Sequence, residues 1–245
     1  MDLGIEQYFK TDPWLASMIN KPVYNLSNTL TLDEGYLCKE KTAIYSFLHK
    51  ESCFCYIKVP IHLLGAIKHL TDIGFNLVDT SVILKMSVSG YALPGNYQGL
   101  RFAVPEDEIS VCQIAGRAFT FSRFHTDKDF TTDMANQIKT EWARNFFRGK
   151  RGEYMVVAYS GELAAGFLQL LYDGQGVLTI DLIAVDSSYR QMGIAQKMIE
   201  YALANCSKVG EIRVGTQLVN LASVSLYEKM GFRLMEAYHV MHYHL

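Results

Sequence analysis

Three polar residues near the end of the chain have the spacing of one helix face. Asn220, Ser223 and Tyr227 stand at positions i, i+3 and i+7, which stacks them on one side of a helix. The segment before them, which we interpret as a strand, ends in Gly215-Thr216-Gln217. The polar face therefore lies at the C-terminal edge of a sheet, where ligands bind in such folds. The alternative interpretation is a solvated stripe with a half-buried tyrosine.

A glycine turn follows a nearly continuous apolar run. The run VLTIDLIAV (residues 177–185) is typical of a central strand covered on both faces. A helix then opens with Arg190, Gln191, Met192, Gly193, Ile194 and Ala195. Backbone N–H groups of such a turn can close around a phosphate, and the helix N-terminus adds about half a positive charge. Residues 113–118 fit the same pattern but lie inside a helix with no strand before it, so context favours the turn at Arg190.

The elements that must position these residues predict an α+β domain. A linker rich in Gly, Pro, Asn and Ser lies between Met86 and Arg101, and we place a domain boundary near residue 98. After it we predict helices before and after an antiparallel meander in a mixed sheet. The predicted strands cover residues 100–104, 154–159, 162–171, 177–185, 211–217 and 232–244, and the helices begin at Asp107 or cover residues 134–147, 193–206 and 221–230.

A repeat connects the two ends of the chain. Residues 51–86 lie without a gap over the stretch that begins at Lys208, because Gly74-Phe75 and Gly231-Phe232 are 231 − 74 = 157 residues apart. Each copy predicts strand, helix, Gly-Phe, strand. The residues of the first copy that align with Asn220, Ser223 and Tyr227 are Leu63, Ala66 and Leu70. The first copy therefore lacks the polar face, although helix-end and strand-start patterns alone produce part of this match.

Composition limits the classes of partner. The chain of 245 residues is 49% hydrophobic and 20% charged, which is typical of a globular protein with one large domain or two small ones. The formal net charge of −2 provides no global field for nucleic acid or an anionic membrane, and we expect neither as a partner. No apolar run approaches the ~18 residues of a spanning helix, and the start lacks a secretory pattern. Five cysteines without a framework spacing indicate reduced thiols in the cytoplasm.

Taken together, these residues resemble the GNAT superfamily of acetyl-CoA-dependent N-acetyltransferases. The resemblance covers about residues 100–245 and lies in IDLIAV (residues 180–185), the turn at Arg190, Asn220, Ser223 and LYEKMGF (residues 226–232). A closer resemblance is to the dTDP-fucosamine N-acetyltransferases, which acetylate the 4-amino group of a nucleotide-linked deoxysugar. It is carried by residues 122–125 (SRFH), Trp142, Asn145, Arg151-Gly152, Gly166-Phe167, Gly215-Thr216-Gln217 and a histidine-containing final strand.

The resemblance implies a mechanism that uses acetyl-CoA as co-substrate. The strands at residues 177–185 and 211–217 would splay apart to admit the pantetheine arm, and the turn at residues 190–195 would hold the pyrophosphate. Asn220 and Ser223 would bind the cofactor, and Tyr227 would protonate the leaving thiolate. The backbone N–H groups of Ile183, Ala184 and Val185 would face the thioester oxygen. The acceptor amine would be contacted by Arg123, His125, Trp142 and Asn145.

Several residues keep two interpretations. Asp181, inside an apolar strand, either orients or deprotonates the acceptor or is a carboxylate paired in the core. Arg123 and His125 either bind substrate or make structural hydrogen bonds. The basic run Arg144, Arg148, Lys150 and Arg151 is either a solvated face or a site for a diphosphate. For His239, His242 and His244 we predict no metal, since no cysteine or carboxylate spacing converges on them.

We therefore predict a GNAT fold, a mixed and mostly antiparallel sheet flanked by helices, in residues 99–245. A smaller, degenerate GNAT-like half occupies residues 1–98. The expected activity is transfer of acetyl from acetyl-CoA to the amino group of a nucleotide-linked amino-deoxysugar. The alternatives are an acetyltransferase for protein N-termini or another small amine, and a catalytically dead GNAT binding module. We leave the oligomeric state open, with a homodimer as one option.

Overall fold

The computed structural model describes residues 5–27, 34–93 and 95–245. Ten strands form one sheet, in the order β1-β2-β3-β10-β4-β9-β8-β7-β6-β5, and only the β2–β3 and β8–β9 pairs are parallel among these described strands. The strands are β1 (Phe9–Thr11), β2 (Val23–Leu26), β3 (Phe54–Pro60), β4 (Asn76–Ser87), β5 (Leu100–Phe102), β6 (Tyr154–Ser160), β7 (Leu163–Tyr172), β8 (Val177–Val185), β9 (Glu211–Gln217) and β10 (Arg233–His244).

Eight α-helices cover this sheet in the described part of the chain. They are α1 (Pro13–Ile19), α2 (Glu34–Leu48), α3 (Leu64–Asp72), α4 (Glu108–Ala118), α5 (Arg123–Thr126), α6 (Thr132–Phe147), α7 (Ile194–Asn205) and α8 (Leu221–Lys229). Three short 3-10 turns lie at Ile5–Tyr8, Pro105–Asp107 and Ser187–Tyr189. The expected mixed, mostly antiparallel sheet flanked by helices is confirmed. None of the described helices is both long and apolar enough to cross a bilayer.

The two copies of the repeat have matching elements in the structure. The bounds of β3, α3 and β4 become those of β9, α8 and β10 after a shift of 157 residues (211 − 54, 221 − 64 and 233 − 76). The register between β4 and β10 follows the same shift. Arg233 on β10 pairs with Lys85 on β4, and the equivalent positions, Asn76 on β4 and His242 on β10, also pair with each other. Even the bulged residues of the two strands, Val78 and Met235, are 235 − 78 = 157 residues apart. This local two-fold symmetry supports duplication of the strand–helix–strand unit.

The duplicated units exchange strands rather than lying side by side. β10 pairs with β3 and β4, and β4 pairs with β10 and β9, so each unit contributes a strand to the other. Helices α7 and α8 cover one face of the C-terminal strands, and α4 and α6 cover the other. Helices α2 and α3 cover one face of β3 and β10, while α5 and α6 pack against the opposite face. The division at residue 98 remains a prediction within one continuous sheet.

The cysteine thiols of the described side chains are unpaired. Cys53, Cys55, Cys112 and Cys206 are buried and free. Burial raises the pKa of Cys53 and Cys206 to about 11, which keeps both thiols protonated at neutral pH. These two cysteines therefore pack as small hydrophobic side chains rather than as nucleophiles. The side chain of Cys38, the fifth cysteine, lies outside the described residues.

Candidate active site

The sheet opens between β8 and β9. Pairing of the two parallel strands runs from Val177–Glu211 to Ile180–Val214 and then ends, although β8 continues to Val185 and β9 to Gln217. Asp181 is a bulge residue in β8, without a partner between Ile180 and Leu182 on β7. Bulges bend a strand and redirect its side chains. The two strands therefore present unpaired edges to each other beyond Ile180 and Val214.

The backbone N–H groups of β8 point alternately toward β7 and into this opening. The N–H of Asp186 donates to Ala165 O on β7 at 2.9 Å. Because N–H groups alternate sides along a strand, those of Ile183 and Val185 point to the opposite edge, into the opening. Ala184, which was predicted with them, has its N–H on the β7 side and its side chain buried. The structure thus leaves Ile183 and Val185 as the N–H donors of that trio at the opening.

The turn before α7 presents an open, concave backbone. Gln191 (φ 65°) and Gly193 (φ 73°) both adopt the left-handed conformation, and Gly193 is the N-cap of α7. A Cβ atom at Gly193 would meet no atom within 4 Å, so this side of the turn is free for a ligand. Gln191 and Met192 are exposed, while Ile194 and Ala195 are half-buried. The geometry is the type of backbone nest that binds anions.

Arg190 holds this turn in place with its side chain. Its Nε donates to Val185 O at 3.2 Å, and its Nη2 donates to Ala118 O at 3.0 Å, which ties the turn to β8 and α4. The guanidinium predicted to bind the cofactor is thus engaged with two carbonyl oxygens of the protein. The residue positions the turn, and its backbone remains available to a phosphate.

Helix α8 places the predicted polar face beside the opening. Asn220 is its N-cap, with Oδ1 accepting from the Ser223 N–H at 3.3 Å, and both side chains are half-buried. Tyr227 is only 2% exposed and packs against Phe232. No described residue hydrogen-bonds the Tyr227 hydroxyl. Burial raises the pKa of Tyr227, so the phenol stays protonated at neutral pH and can donate.

Asp181 is a paired carboxylate, which is the second of the two interpretations the sequence allowed. Its two oxygens accept from Arg151 Nε at 2.7 Å and Nη2 at 2.6 Å, from Trp142 Nε1 at 2.9 Å and from Gln169 Nε2 at 3.1 Å. Four N–H donors occupy the lone pairs of this one carboxylate. Asp181 therefore fixes the orientations of Trp142 and Arg151.

A cavity of about 440 Å³ lies on the α6 side of the sheet and draws on both halves of the chain. Trp14 and Trp142 meet edge to face in its wall, with ring centroids 5.6 Å apart. The Arg123 guanidinium lies 3.9 Å from the Tyr56 ring centroid, and its buried Nη1 has no hydrogen-bond partner. The remaining lining residues are Asp12, Leu15, Asn145, Lys150 and Arg151.

The structure brings together three of the residues predicted to bind the acceptor and separates the fourth. Arg123, Trp142 and Asn145 line the cavity, whereas His125 does not. The His125 Nδ1 lies 2.6 Å from Ser122 Oγ, and its Nε2 lies 3.0 Å from Asn136 Oδ1. Both ring nitrogens are thus used locally. The geometry favours the structural interpretation of His125.

The basic run divides into two pairs. Arg144 and Arg148 both bind Glu141, so these two form a charged face of α6 outside the cavity. Lys150 and Arg151 line the cavity, held there by the Asn145 carbonyl oxygen, which accepts their N–H groups at 2.8 and 3.2 Å. Only the second pair is placed to meet a ligand in this cavity.

Sequence patterns did not single out five residues in or beside the cavity. Asp12, Trp14 and Leu15 come from the first 50 residues, outside the stretch that resembles the family. Tyr56 lies on β3, in the first copy of the repeat, and Lys139 lies against Trp142 on α6. Two signals were present in the sequence. The chain has only two tryptophans, and Lys139 occupies an interior position of an otherwise amphipathic helix.

The histidines of β10 form a different cluster. His242 Nδ1 and His244 Nε2 both donate to Asp127 Oδ2, at 2.6 and 2.8 Å, and the ligand atoms of the three residues lie within 4.8 Å of one another. Burial lowers the pKa of His242 to about 4, so this imidazole is neutral at pH 7. A carboxylate from the loop after α5 therefore does converge on two histidines of the last strand, so the premise that none does was wrong. His239 lies apart, with Nδ1 3.2 Å from Thr80 Oγ1.

This buried histidine predicts loss of stability in acid. An unfolded histidine has a pKa of about 6.5, so between pH 6.5 and 4 the unfolded chain binds a proton that the folded chain rejects. We expect the free energy of unfolding to fall as the pH is lowered through this window, by about 1 kcal/mol per pH unit from this group. Urea unfolding at several pH values measures it. His242→Asn should flatten the dependence and exposed His62→Asn should not; equal slopes in both variants would contradict the assignment.

Comparison with known proteins supports the same fold and chemistry. Residues 111–232 match the acetyltransferase (GNAT) family. The spore coat polysaccharide biosynthesis protein SpsD of Bacillus subtilis is 29% identical over 234 residues, which cover 94% of this chain and 80% of that protein. N-alpha-acetyltransferase 30 of Saccharomyces cerevisiae is 41% identical over 59 residues, 23% of this chain and 34% of that one.

A solved structure shares the architecture over most of the chain. The tandem GNAT protein from the clavulanic acid biosynthesis pathway superposes with a TM-score of 0.58 and 12% identity, over 91% of this chain and 75% of that one. Such a likeness shows the fold, and the sequence match over residues 111–232 shows the chemistry. The chain therefore belongs to the GNAT superfamily and is an acyl-CoA-dependent N-acetyltransferase.

Proposed function

We propose that this enzyme transfers acetyl from acetyl-CoA to the amino group of a nucleotide-linked amino-deoxysugar, of the dTDP-4-amino-4,6-dideoxyhexose class. The observation that carries the proposal is the cavity with two tryptophans, a tyrosine and three cations, of which Trp142 and Arg151 donate hydrogen bonds to Asp181 on β8, next to the β8–β9 opening. The relative of similar length is named for polysaccharide biosynthesis, which supports a sugar acceptor.

The charges of the cavity suit a diphosphate. Arg123, Lys150 and Arg151 are cationic, and Arg151 is paired with Asp181. The other acid, Asp12, is used by the Tyr56 hydroxyl at 2.9 Å and by the Leu15 N–H at 3.0 Å. The buried, unpartnered Nη1 of Arg123 lacks the acceptor that a phosphate oxygen would supply. A peptide N-terminus brings no compact anion to fill this place.

The aromatic walls suit the base and the sugar. Trp14 and Trp142 present their rings to the cavity at an interplanar angle of 75°, so a planar base can stack on one of them and contact the edge of the other. Trp14 and Tyr56 come from the N-terminal segment, which we propose has kept a role in acceptor recognition. In the first copy of the repeat, Ala66 and Leu70 occupy the positions equivalent to Ser223 and Tyr227, and both side chains are buried in the core.

The residues at the opening divide the chemistry among them. Acetyl-CoA, when bound, supplies the activated acetyl group. The N–H groups of Ile183 and Val185 stabilise the negative charge that develops on the thioester oxygen, an effect of roughly 3 kcal/mol per donor. The turn at residues 190–195 binds the pyrophosphate, and Tyr227 donates a hydrogen bond to the departing thiolate. A cytoplasmic location fits the free thiols of the described cysteines.

Binding of dTDP to the cavity tests the acceptor assignment without any turnover. Because the only two tryptophans of the chain line this cavity, intrinsic tryptophan fluorescence reports its occupation directly. We expect dTDP to change the emission in a saturable manner, with a Kd that rises with salt. Lys150→Ala should raise that Kd about threefold to tenfold, since it removes one exposed charge contact worth about 1 kcal/mol.

The matched control is Arg148→Ala, which removes an arginine paired with Glu141 outside the cavity. It should leave the Kd for dTDP unchanged. An emission that does not respond to dTDP, or an Arg148→Ala effect as large as that of Lys150→Ala, would remove the nucleotide from this cavity.

A further inference from the structure

Lys139 is a buried lysine without an anionic hydrogen-bond partner. It lies in the interior of α6 and is 8% exposed. Its Nζ lies 4.6 Å from the Trp142 ring centroid and 5.0 Å from the Phe119 ring centroid. No described residue accepts a hydrogen bond from it or forms an ion pair with it. Two aromatic faces are weak compensation for removing an ammonium from water, so this side chain invites a functional explanation.

The two rings place Lys139 over the open end of β8. Phe119 and Trp142 pack against the core cluster that contains Leu182 and Ala184, on the α6 face of the strand. Phe119 directly follows Ala118, whose carbonyl oxygen accepts from Arg190 in the turn before α7. Lys139 therefore lies against Trp142, a wall residue of the cavity, and against Phe119, which packs on the cluster that contains Leu182 and Ala184 of β8. Its Nζ is also near the cavity residues Arg123 and Arg151.

The charged groups around Lys139 favour its neutral form. Asp181 faces it from β8 but is occupied by Arg151, Trp142 and Gln169. Arg123 and His125 face it from α5, and Arg151 faces it from the loop after α6. Both arginines are cations. Burial is the largest influence; with these two cations it outweighs the attraction of Asp181 and lowers the pKa of Lys139 to about 8.

We propose that Lys139 is the base that takes the proton from the acceptor ammonium. Within this step the N–H bond of the ammonium breaks, and its proton forms a bond to the lone pair of neutral Lys139 Nζ. The freed amine lone pair attacks the thioester carbon and the C–S bond breaks. The departing thiolate, which accepts a hydrogen bond from Tyr227, takes the second proton of the amine nitrogen and leaves as the free thiol. Lys139 returns its proton to water as the amide product leaves. The donor and acceptor amines have similar affinities for the proton, so the transfer is close to balanced.

Other titratable groups in the region are less suited to this step. The lone pairs of Asp181 are filled by four donors, and both ring nitrogens of His125 are bonded. Asp79 is the main competitor: it is buried on β4, its Oδ2 has no partner, and burial raises its pKa to about 6. It lies across β9 from the opening, beside Gln217 and Lys58, rather than over β8.

The test is the pH dependence of kcat with two acceptors, dTDP-4-amino-4,6-dideoxygalactose and a peptide with a free N-terminus. In the parent enzyme we expect kcat to rise with pH through a group near pH 8. Lys139→Arg keeps the positive charge but cannot accept a proton at these pH values. It should lower kcat about 100-fold at pH 7.5 and abolish that rise, with little change in acetyl-CoA affinity. Lys139→Met keeps the packing against the Phe119 and Trp142 rings and should lower kcat to a similar extent, also without the rise near pH 8.

Lys68→Met, an exposed lysine of α3, is the matched control and should keep the parent profile. An unchanged far-ultraviolet circular dichroism spectrum and unchanged acetyl-CoA affinity confirm that the Lys139 variants are folded. A kcat within threefold of the parent in both variants, or a rise near pH 8 that disappears in Asp79→Asn instead, overturns the proposal. The inference rests on the proposed acceptor site, but the effect on kcat is read on either acceptor. Failure of the sugar assignment and failure of Lys139 are therefore separate results.

Discussion

Gly193→Val is expected to lower the affinity for acetyl-CoA at least about 100-fold, which corresponds to about 3 kcal/mol. A valine at φ 73° is strained, and its branches would fill the open side of the turn, where a Cβ now meets no atom within 4 Å. Phosphate oxygens bind such a turn by close approach to backbone N–H groups, and the added methyl groups prevent that approach. Isothermal titration calorimetry with acetyl-CoA measures the loss.

The matched control for Gly193→Val is Gly161→Val. Gly161, in the turn between β6 and β7, also has a positive φ (61°) and open space around its Cβ position. Its substitution carries the same backbone strain without touching the turn before α7. We expect Gly161→Val to lose stability and keep acetyl-CoA affinity. Parent-like affinity in Gly193→Val would show that the pyrophosphate binds elsewhere.

Tyr227→Phe is expected to lower kcat 100- to 1000-fold with little change in acetyl-CoA affinity. The phenol is buried beside the opening, no described residue uses its hydroxyl, and phenylalanine keeps the ring packing against Phe232. The lost hydrogen bond forms as charge develops on the departing sulfur, so its removal affects the transition state more than binding. Because burial raises the pKa of Tyr227, stabilisation by hydrogen bonding describes its role better than full proton transfer.

The pH profile adds a second readout for Tyr227. A phenol with a raised pKa stays protonated up to about pH 10, so kcat should show no decline from this residue below that pH. Single-turnover measurement of thiol release separates the chemical step from product release. Tyr45→Phe, at an exposed position of α2, serves as the control. Near-parent kcat in Tyr227→Phe would remove this residue from the mechanism.

Local patterns predicted the elements of the C-terminal half. The strands at residues 177–185 and 211–217 have the bounds that apolar periodicity indicated, and the helices begin and end within about two residues of expectation. The repeat, found from one Gly-Phe pair per copy, also predicted the order strand, helix, strand within residues 51–86, which β3, α3 and β4 follow. These features depend on short-range spacing, which a single sequence contains.

Contacts between distant segments could not be predicted in the same way. The run from Arg144 to Arg151 is uniform as a charge pattern, yet Glu141 binds Arg144 and Arg148 while Lys150 and Arg151 face the cavity. The bulge at Asp181 and its four donors depend on the meeting of β8, β7 and α6. The approach of Trp14 to Trp142 joins two segments separated by more than a hundred residues. Such arrangements arise from tertiary packing rather than local spacing.

A side-by-side turnover measurement tests the central claim most directly. The purified enzyme is given acetyl-CoA with either dTDP-4-amino-4,6-dideoxygalactose or a set of peptides with free N-termini, and both thiol release and acetylated product are followed. We predict a kcat/KM for the sugar nucleotide at least about 100-fold above that of any peptide, since the cavity offers cations and aromatic rings that only the nucleotide can use. Faster acetylation of a peptide than of the sugar nucleotide would contradict the account of the acceptor site.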